Sequence, residues 1–351
     1  MKSIFVAGSA RVIMPNVGMG KASKLLSILS SNNVQLTIDV GGDFFLSIDH
    51  DKTAYKSFIR AGGIPERAFL LRLEPPSVFP SQYNTSIEKK YGHIYSPGST
   101  LQNPPDFFGW PYQKLANPNI PTLSAYSVDD SLDFEVVTFS SWANRSITLS
   151  MVAANKVSPS FGRNYSLRRK FARSLKTLDF QLFGSLWSCS FIKKVRHRLA
   201  VAHFAIRHGT MPSLLSIWGN LFFRYPRSLG AVNDKHLVLE NSKFSLVLEN
   251  SNTYVSEKLF DSIVNCCIPV YFGPKLSTMG IPEDLAIYYD GPEKGLVDFL
   301  KGFTEVEIQH KLDVISEFLH SREFKSNWSE TAVYTRISKD IIDRMDKARS
   351  C

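Results

Sequence analysis

One stretch of the sequence predicts a complete strand–helix–strand unit. Residues 243–273 read KFSLVLENSNTYVSEKLFDSIVNCCIPVYFG. Bulky apolar residues alternate with other residues from Phe244 to Leu248, which predicts a β-strand. After a polar turn, apolar residues recur at helical spacing from Leu259 to Cys267, and a short apolar run then ends at Gly273. The order strand, helix, strand predicts a βαβ unit and therefore a parallel α/β sheet.

The turn between that strand and the helix is the predicted ligand-binding end of the unit. In parallel α/β sheets, ligands bind beyond the carboxyl ends of the strands, and the N-terminus of the following helix favours an anion. Ser256 is a candidate N-cap, and Glu257 and Lys258 fall in the first turn. A lysine there opposes the helix dipole, so its position makes sense if it faces a diphosphate. The alternative is a solvated Glu257–Lys258 pair on a surface helix, which the local pattern alone fits slightly better.

The N-terminal part of the chain shows the same alternation of strands and helices. The predicted strands are residues 4–6, 34–40 and 68–73, and the predicted helices are residues 21–29 and 54–60. Proline, glycine, serine and aromatic residues are frequent between residues 76 and 122, which predicts long loops there. This part therefore predicts a second α/β sheet.

A change in the pattern near residue 155 predicts a domain boundary, which separates residues 1–154 from residues 155–351. Just before it, strands are predicted at residues 136–140 and 150–154. After it, the pattern predicts a basic helix at 165–178, a strand at 181–183 and helices from about Val306 onward.

The composition is that of a globular protein with a surplus of positive charge. The 351 residues are enough for two domains, and 44% apolar with 21% charged residues exclude disordered, collagen-like and coiled-coil proteins. Lysine and arginine number 41, aspartate and glutamate number 32, and the net charge is +9. This surplus predicts a polyanionic partner, which is a nucleic acid, an anionic membrane surface or a phosphate-bearing ligand.

The four cysteines predict neither a disulfide scaffold nor a structural zinc site. Two of them, Cys266 and Cys267, are adjacent in an apolar stretch, and no C-x-x-C spacing occurs. No apolar run reaches the ~18 residues of a membrane-spanning helix, and the first apolar run is too short for a secretion signal. These features are compatible with a reducing cytoplasm. The triplet Asp49-His50-Asp51 has the Asp-x-Asp pattern of a metal site, but three residues match by chance too easily to predict a metal.

The 243–273 stretch also resembles the signature segment of the α-1,3-fucosyltransferases, glycosyltransferase family ten. The matching groups are Glu249-Asn250-Ser251, Tyr254-Val255, Glu257-Lys258-Leu259 and residues 268–273. Ser256 stands where the family has threonine, and the gap between Asn250 and Tyr254 is shorter than is usual. Weaker matches are Arg168 in a block that runs from Asn155 to Gly184, and Glu74 in the segment Leu73-Glu74-Pro75-Pro76-Ser77.

The resemblance implies a fold and a reaction. The family has the α/β GT-B architecture, in which two doubly wound Rossmann-like domains face each other across a cleft. Residues 1–154 would be the acceptor-side domain, and residues 155–351 the nucleotide-sugar donor domain with C-terminal helices. The family transfers L-fucose from GDP-fucose to a hydroxyl of a glycan acceptor, with inversion at the anomeric carbon and an α-1,3-type linkage.

The resemblance also implies roles for individual residues. Glu74 is the candidate catalytic base, which accepts the proton of the attacking hydroxyl. Arg168 and Lys258 are the candidate catalytic cations, which bind the diphosphate of the donor as it leaves. The other candidate donor-binding residues are Glu249, Asn250, Tyr254 and Glu257, and Glu257 could also stabilise positive charge on the sugar ring. Because the cations of the protein neutralise the diphosphate, the resemblance implies no metal ion and no cofactor besides GDP-fucose as the donor substrate.

Several alternatives stay open at this point. Glu74 could be a solvated acid at a strand end. Arg168 could be one charge on a solvated face of a basic helix. Arg169 is the alternative to Arg168, but it fits the spacing of the family less well. The chain could also be a GT-B transferase for another nucleotide sugar, or, with less support, a nucleic-acid-binding protein that uses the basic stretch 163–207. The fucosyltransferase interpretation predicts a cytoplasmic enzyme with or without peripheral membrane association, and no nucleic-acid partner. The acceptor glycan and the choice between α-1,3 and α-1,4 linkage are not predicted.

Overall fold

The structure is a computed structural model of the chain. It describes residues 2–8, 22–73, 80–96, 134, 136–157, 163–207, 218, 221, 225, 227–250 and 255–350. The chain divides into two compact units. Unit 1 consists of Met1–Asp130 and Lys325–Cys351, and unit 2 consists of Ser131–Phe324.

Unit 1 contains a five-stranded parallel sheet with the strand order β2-β1-β3-β4-β5. The strands are β1 (Lys2–Gly8), β2 (Val34–Thr37), β3 (Phe44–Ile48), β4 (Ala68–Leu71) and β5 (His93–Tyr95). Parallel strands need crossover connections, and helices lie in three of them. These helices are α1 (Ser23–Ser31), α2 (Lys52–Arg60) and α3 (Thr85–Glu88).

The sequence pattern placed no strand at β3 or at β5, and β5 lies in the stretch 76–122 that was predicted as loops. Strand β3 shows why a central strand escapes such a pattern. All five of its residues are buried, so it shows no alternation of apolar and polar side chains. A central strand of a parallel sheet is covered on both faces and is therefore apolar throughout. The predicted strands and helices on either side of it are confirmed, with their ends shifted.

Unit 2 contains a four-stranded parallel sheet with the strand order β7-β6-β8-β9. The strands are β6 (Ile147–Val152), β7 (Phe180–Phe183), β8 (Ser242–Leu248) and β9 (Ile268–Phe272). The helices in the described part of this unit are α4 (Phe139–Ala143), α5 (Arg163–Ser174), α6 (Phe191–Arg207), α7 (Lys235–Glu240), α8 (Glu257–Val264), α9 (Leu296–Lys301) and α10 (Glu305–His320). Together β8, α8 and β9 form the predicted βαβ unit.

The strand order of unit 2 reverses between β6 and β8. From β6 the chain passes through α5 to β7 on one side of the sheet, and it later enters β8 on the other side. The carboxyl ends of β6 and β8 therefore border a topological switch point. Open α/β sheets bind their ligands in the crevice at such a point.

The last two helices are α11 (Arg322–Asn327) and α12 (Glu330–Ser350). Helix α12 packs against α1, so it belongs to unit 1. Tyr95 Oη donates to Asp340 Oδ2 at 2.7 Å, and the side chains that α12 buries in the core of this unit are Val333, Tyr334, Ile337, Ile341 and Met345. None of the helices in the described ranges is both long enough and apolar enough to cross a membrane.

The observed division differs from the predicted boundary at residue 155. Strand β6 lies before that boundary but pairs with β7 and β8 of unit 2, and α12 lies after it but packs in unit 1. Periodicity predicts a strand or a helix, but it does not show which sheet the element joins. Residues 136–140 were predicted as a strand, but α4 begins at Phe139 with Thr138 as its N-cap.

Candidate functional site

The carboxyl end of β8 carries a buried carboxylate. Glu249 follows the strand directly, its side chain is fully buried, and its Oε1 accepts a hydrogen bond from Ser256 N at 2.9 Å. Its own backbone N–H donates to Phe272 O at 2.9 Å, which ties the end of β8 to the end of β9. Burial raises the pKa of Glu249 above its ordinary value, while the neighbouring Lys258 ammonium acts in the opposite direction. The hydrogen bond from Ser256 N places the Glu249 carboxyl group at the start of α8, where the helix dipole favours negative charge.

Lys258 extends back over the start of its own helix. Its Nζ donates to Ser256 Oγ at 2.8 Å and lies 3.9 Å from Glu249 Oε2 and 3.6 Å from Glu257 Oε1. Ser256 is also the N-cap of α8, because its hydroxyl accepts from Lys258 N at 3.4 Å. The Lys258 side chain is 16% exposed and that of Glu257 is 56% exposed. Lys258 is thus held mostly out of solvent at the turn, as a ligand-facing lysine would be, whereas Glu257 reaches into solvent.

Gly273 permits the close packing around Glu249. A Cβ atom at Gly273 would lie 2.8 Å from Glu249 Cγ and 2.3 Å from the hydroxyl oxygen of Tyr271. Both distances are shorter than a real carbon–carbon or carbon–oxygen contact, so a larger residue would displace one of the two side chains. The glycine that closes the 243–273 segment is therefore required by the packing of the buried carboxylate.

Arg168 connects the two strand ends, of β6 and β8, that border the topological switch point of the sheet. Its guanidinium donates from Nη1 to Ala154 O at 2.9 Å, and from Nη2 to Leu248 O at 3.3 Å and Asn250 Oδ1 at 3.2 Å. It also lies over the ring of Tyr165 at 5.0 Å. The side chain is almost completely buried, so it connects the carboxyl ends of β6 and β8 and fixes Asn250 between them. The structure therefore gives Arg168 a positioning contact with Asn250 at the same strand end that carries Glu249.

Arg169 lies next to Arg168 but uses fewer of its donors. It is buried, and its Nη1 donates to Lys156 O at 3.4 Å. Its Nε has no hydrogen-bond partner among the residues that the structure describes. Burial lowers the pKa of Arg169, and the positive charges of Arg198, Arg168 and Arg173 lower it further. From the sequence, Arg168 was preferred to Arg169 because it fits the spacing of the family better. That spacing does not show how deeply either side chain is buried.

The predicted residues are therefore brought together in part. Glu249, Asn250, Glu257, Lys258 and Arg168 all lie in unit 2 around the carboxyl end of β8. The predicted base Glu74 and the predicted donor-binding Tyr254 lie outside the described residues. Their roles stay predictions.

In unit 1 the carboxyl ends of the strands also hold a polar network. Asp49, which follows β3, accepts at Oδ1 from Leu73 N at 2.9 Å and from Gln82 Nε2 at 3.0 Å. Arg72 follows β4, pairs with the buried Glu88 at 3.0 Å and lies over the ring of Tyr83 at 4.2 Å. Leu73 directly precedes Glu74, so the chain that leads into the predicted base is held by Asp49.

This role of Asp49 was not predicted from the sequence, in which Asp49 stood out only as part of a chance Asp-x-Asp pattern. The other two members of that pattern also have structural partners. Asp51 caps α2 by accepting from Thr53 N and Ala54 N, both at 2.9 Å, and His50 Nδ1 lies 2.8 Å from Tyr91 Oη. Within the described ranges, no group of three histidine, cysteine, aspartate or glutamate side chains is arranged to hold a metal ion.

Comparisons with known proteins bear on the fold. No protein-family model matches the sequence, and no curated protein matches it at a significant level. Solved structures do match over nearly the whole chain. Anabaena HepE in complex with UDP has 9% sequence identity and a TM-score of 0.55, over 98% of this chain and 100% of HepE.

Two further solved structures match to a similar extent. An α-1,3-fucosyltransferase with GDP has 13% identity and a TM-score of 0.50, over 98% of this chain and 91% of that protein. An α-glucosyltransferase in complex with UDP and a 13-mer DNA containing an HMU base has 10% identity and a TM-score of 0.51, over 97% and 99% of the two chains. At these identities the likeness is one of fold. The two parallel α/β sheets and the match along the whole chain show that this protein has the GT-B fold of glycosyltransferases.

Proposed function

We propose that this protein is an inverting glycosyltransferase, and that it transfers L-fucose from GDP-fucose to a hydroxyl of a glycan acceptor. The observation that carries the proposal is the position of Lys258. It lies at the start of α8 and the carboxyl end of β8, inside the segment that resembles the fucosyltransferase signature. The GT-B fold supports a nucleotide-sugar donor, and one of the matching structures is a fucosyltransferase with GDP.

The donor half of the reaction needs positive charge at the diphosphate. As the bond between the anomeric carbon and the diphosphate oxygen breaks, the electron pair leaves with GDP and negative charge develops on that oxygen. Lys258 supplies an ammonium there, and the N-terminus of α8 adds its dipole. Arg168 acts by holding Asn250 and the strand end in place, through the hydrogen bonds to Leu248 and Asn250.

The acceptor half of the reaction needs a base. The acceptor hydroxyl oxygen forms a new bond to the anomeric carbon, and its proton passes to the Glu74 carboxylate. Asp49 contributes by fixing Leu73 N, directly before Glu74, with a hydrogen bond of 2.9 Å. The cations of the protein take the place of a metal ion in this proposal.

A second candidate is the same reaction class with a different nucleotide sugar. It is favoured by the HepE and α-glucosyltransferase structures, both of which hold UDP. The role proposed for Lys258 concerns the diphosphate, which GDP-fucose and UDP-glucose share.

A donor panel tests the proposal and separates the two candidates. Hydrolysis and transfer are measured with GDP-fucose, GDP-mannose and UDP-glucose, and a glycan array serves as the set of acceptors. We expect turnover with GDP-fucose and transfer to a subset of the glycans. If only UDP-glucose is turned over, the donor is UDP-glucose and the proposal of GDP-fucose is wrong. If no nucleotide sugar is turned over, the proposed function itself is contradicted.

A further inference from the structure

Helix α6 in unit 2 exposes three bulky apolar side chains, which we call the apolar stripe. Ile192 is 63% exposed, Leu199 is 53% exposed and Ile206 is 65% exposed. They follow one another at intervals of seven residues, which is close to two turns of a helix, so they lie along one line of about 21 Å. Surface helices normally turn apolar side chains towards the core. A continuous apolar line on the outside of a helix is typical of a surface that binds another molecule.

Cationic side chains border the apolar stripe. Lys193 and Arg196 are exposed, and both lie on the same side of the stripe because each residue advances the helix by about 100°. His203 is exposed between Leu199 and Ile206. We call the apolar stripe together with Lys193, Arg196 and His203 the outer face of α6. The outer face contains no carboxylate, because the sequence of α6 has no aspartate or glutamate.

The bias towards positive charge extends well beyond α6. The sequence has no aspartate or glutamate between Asp179 and Asp234. The same stretch contains Lys193, Lys194, Arg196, Arg198, Arg207, Arg224 and Arg227. Helix surfaces usually mix both signs of charge, because acidic and basic residues four positions apart stabilise a helix. The absence of acidic residues from this sequence therefore favours an anionic partner for the outer face.

A second copy of the chain fits the outer face poorly. The residues at alternating intervals of four and three, which would form the seam of a helix pair, are Ile192, Arg196, Leu199, His203 and Ile206. Such a seam is stable when its positions are apolar. Here the second position is an arginine and the fourth is a histidine, and burying an arginine against its own copy is costly unless a carboxylate pairs with it.

A nucleic acid fits only half of the outer face. Its phosphates would attract Lys193 and Arg196, but a sugar–phosphate backbone offers no apolar partner to the stripe. An anionic membrane fits both halves. Apolar side chains of an interfacial helix enter the boundary between head groups and acyl chains, and lysine and arginine reach the lipid phosphates with their long aliphatic stems.

We propose that the outer face of α6 docks unit 2 on an anionic lipid membrane. The helix lies in the plane of the interface, with the apolar stripe towards the acyl chains and with Lys193 and Arg196 at the head groups. This surface goes beyond the proposed function, because none of its residues has a role in the transfer described above.

Co-sedimentation of the full chain with vesicles tests the proposal. Vesicles of phosphatidylcholine and phosphatidylglycerol in equal amounts are compared with vesicles of phosphatidylcholine alone. We expect the wild-type protein to bind the mixed vesicles at least about tenfold more tightly, because two cations at an anionic surface each add to the attraction. We also expect this preference to shrink at high salt, which screens the charges.

A variant of the apolar stripe has a matched control on another helix. We expect Leu199→Ser to weaken binding to the mixed vesicles by about tenfold, because it removes a leucine side chain from the lipid boundary. Leu237→Ser is the control, since Leu237 lies on α7 of the same unit and is 61% exposed. Its binding is expected to equal that of the wild type. Both positions are exposed, and equal midpoints of urea unfolding show that both variants keep the fold.

A second variant tests the charges independently of the stripe. Replacing Lys193 and Arg196 together by glutamine is expected to weaken binding to the mixed vesicles by about tenfold or more and to leave binding to phosphatidylcholine unchanged. Lys294→Gln is the control, because it removes an exposed lysine of the same unit outside α6.

Three outcomes would overturn the proposal. The first is no binding of the wild type to the mixed vesicles, or equal binding by Leu199→Ser and Leu237→Ser. The second is a dimer, measured by sedimentation equilibrium without lipid, that Leu199→Ser dissociates, which assigns the outer face to a second copy. The third is binding to duplex DNA in place of vesicles, unchanged in Leu199→Ser. None of these measurements uses a nucleotide sugar, so the result does not depend on the proposed function.

Discussion

Lys258 has one hydrogen bond from its ammonium group to Ser256, and its two carboxylate neighbours lie at longer distances of 3.6 and 3.9 Å. An ammonium group has three donors. Among the residues that the structure describes, the contacts to Ser256, Glu249 and Glu257 fix its position without a close ion pair. This arrangement suits a lysine that must remain able to bind an anionic ligand.

Replacing Lys258 tests this role. We expect Lys258→Ala to lower kcat/KM for donor turnover by about 100-fold or more, because loss of one preorganised charge at a developing anion costs about 3 kcal/mol. The measurement is steady-state kinetics with the nucleotide sugar that the donor panel selects. Lys235→Ala is the control, because Lys235 also lies in the first turn of a helix and pairs with a carboxylate, Asp261, at 2.6 Å. If kcat/KM is the same for Lys258→Ala and Lys235→Ala, Lys258 has no special role in the reaction.

Glu249 makes stability depend on pH. Its folded-state pKa is raised mainly by burial, whereas the unfolded value is about 4.3. A raised carboxyl pKa stabilises the fold below the unfolded pKa, and that contribution is lost as the pH rises through the folded pKa. Glu249→Gln keeps an oxygen that can accept from Ser256 N but does not titrate. We expect the unfolding free energy of the wild type, relative to this variant, to fall as the pH rises from about 4.3.

Urea unfolding of both proteins between acidic and slightly basic pH measures that difference. The sign is informative, because a carboxylate whose pairing with Lys258 outweighed its burial would give the opposite slope. A difference that rises with pH, or that does not change, would contradict a raised pKa for Glu249.

Among the helices, α12 packs in the core of a unit from which it is far removed in the sequence. It follows all of unit 2 in the chain, yet its apolar face completes the core on which α1 lies. Ile337 is fully buried in that core, so we expect Ile337→Ala to lower the unfolding free energy by about 2–5 kcal/mol.

The control for Ile337→Ala is Ile38→Ala, since Ile38 belongs to the same unit and is largely exposed. Chemical denaturation, followed by a signal from unit 1, measures both variants. Similar unfolding midpoints would mean that α12 is not part of the cooperative core of unit 1.

The sequence predicted the elements whose pattern is local. The alternation in β8 and the helical spacing in α8 gave the βαβ unit, and the Ser256-Glu257-Lys258 sequence gave the start of α8. β3 was missed because it is buried on both faces, and residues 136–140 were assigned to a strand although α4 begins at Phe139 with a cap from Thr138.

The candidate site was predictable only to the extent that its residues are close in sequence. Glu249 and Lys258 lie in one segment, and the structure brings them within 3.9 Å. The bond from Leu73 N to Asp49 joins the ends of two strands, and the bond from Arg168 to Asn250 joins a helix to the end of another strand. Such contacts depend on which elements pack together, and the sequence pattern carries no information about that.

For the whole molecule, the structure changes the meaning of the +9 net charge. Part of the positive charge in the basic stretch 163–207 is buried, as Arg168, Arg169, Lys194 and Arg198 show. A buried guanidinium adds little to the surface field that attracts nucleic acids, whose binding depends on exposed contacts to phosphates. The buried cations of this stretch, such as Arg168, therefore serve contacts within unit 2 rather than a nucleic-acid surface.

The position of α12 in unit 1 has a consequence for the ribosome. The first sheet of the protein leaves the exit tunnel early, but the helix that covers part of it is translated only after all of unit 2. During that interval the apolar side chains of α1 that α12 covers, such as Leu25 and Leu29, lack their final partner. The nascent chain must therefore carry an incomplete first unit until translation reaches α12.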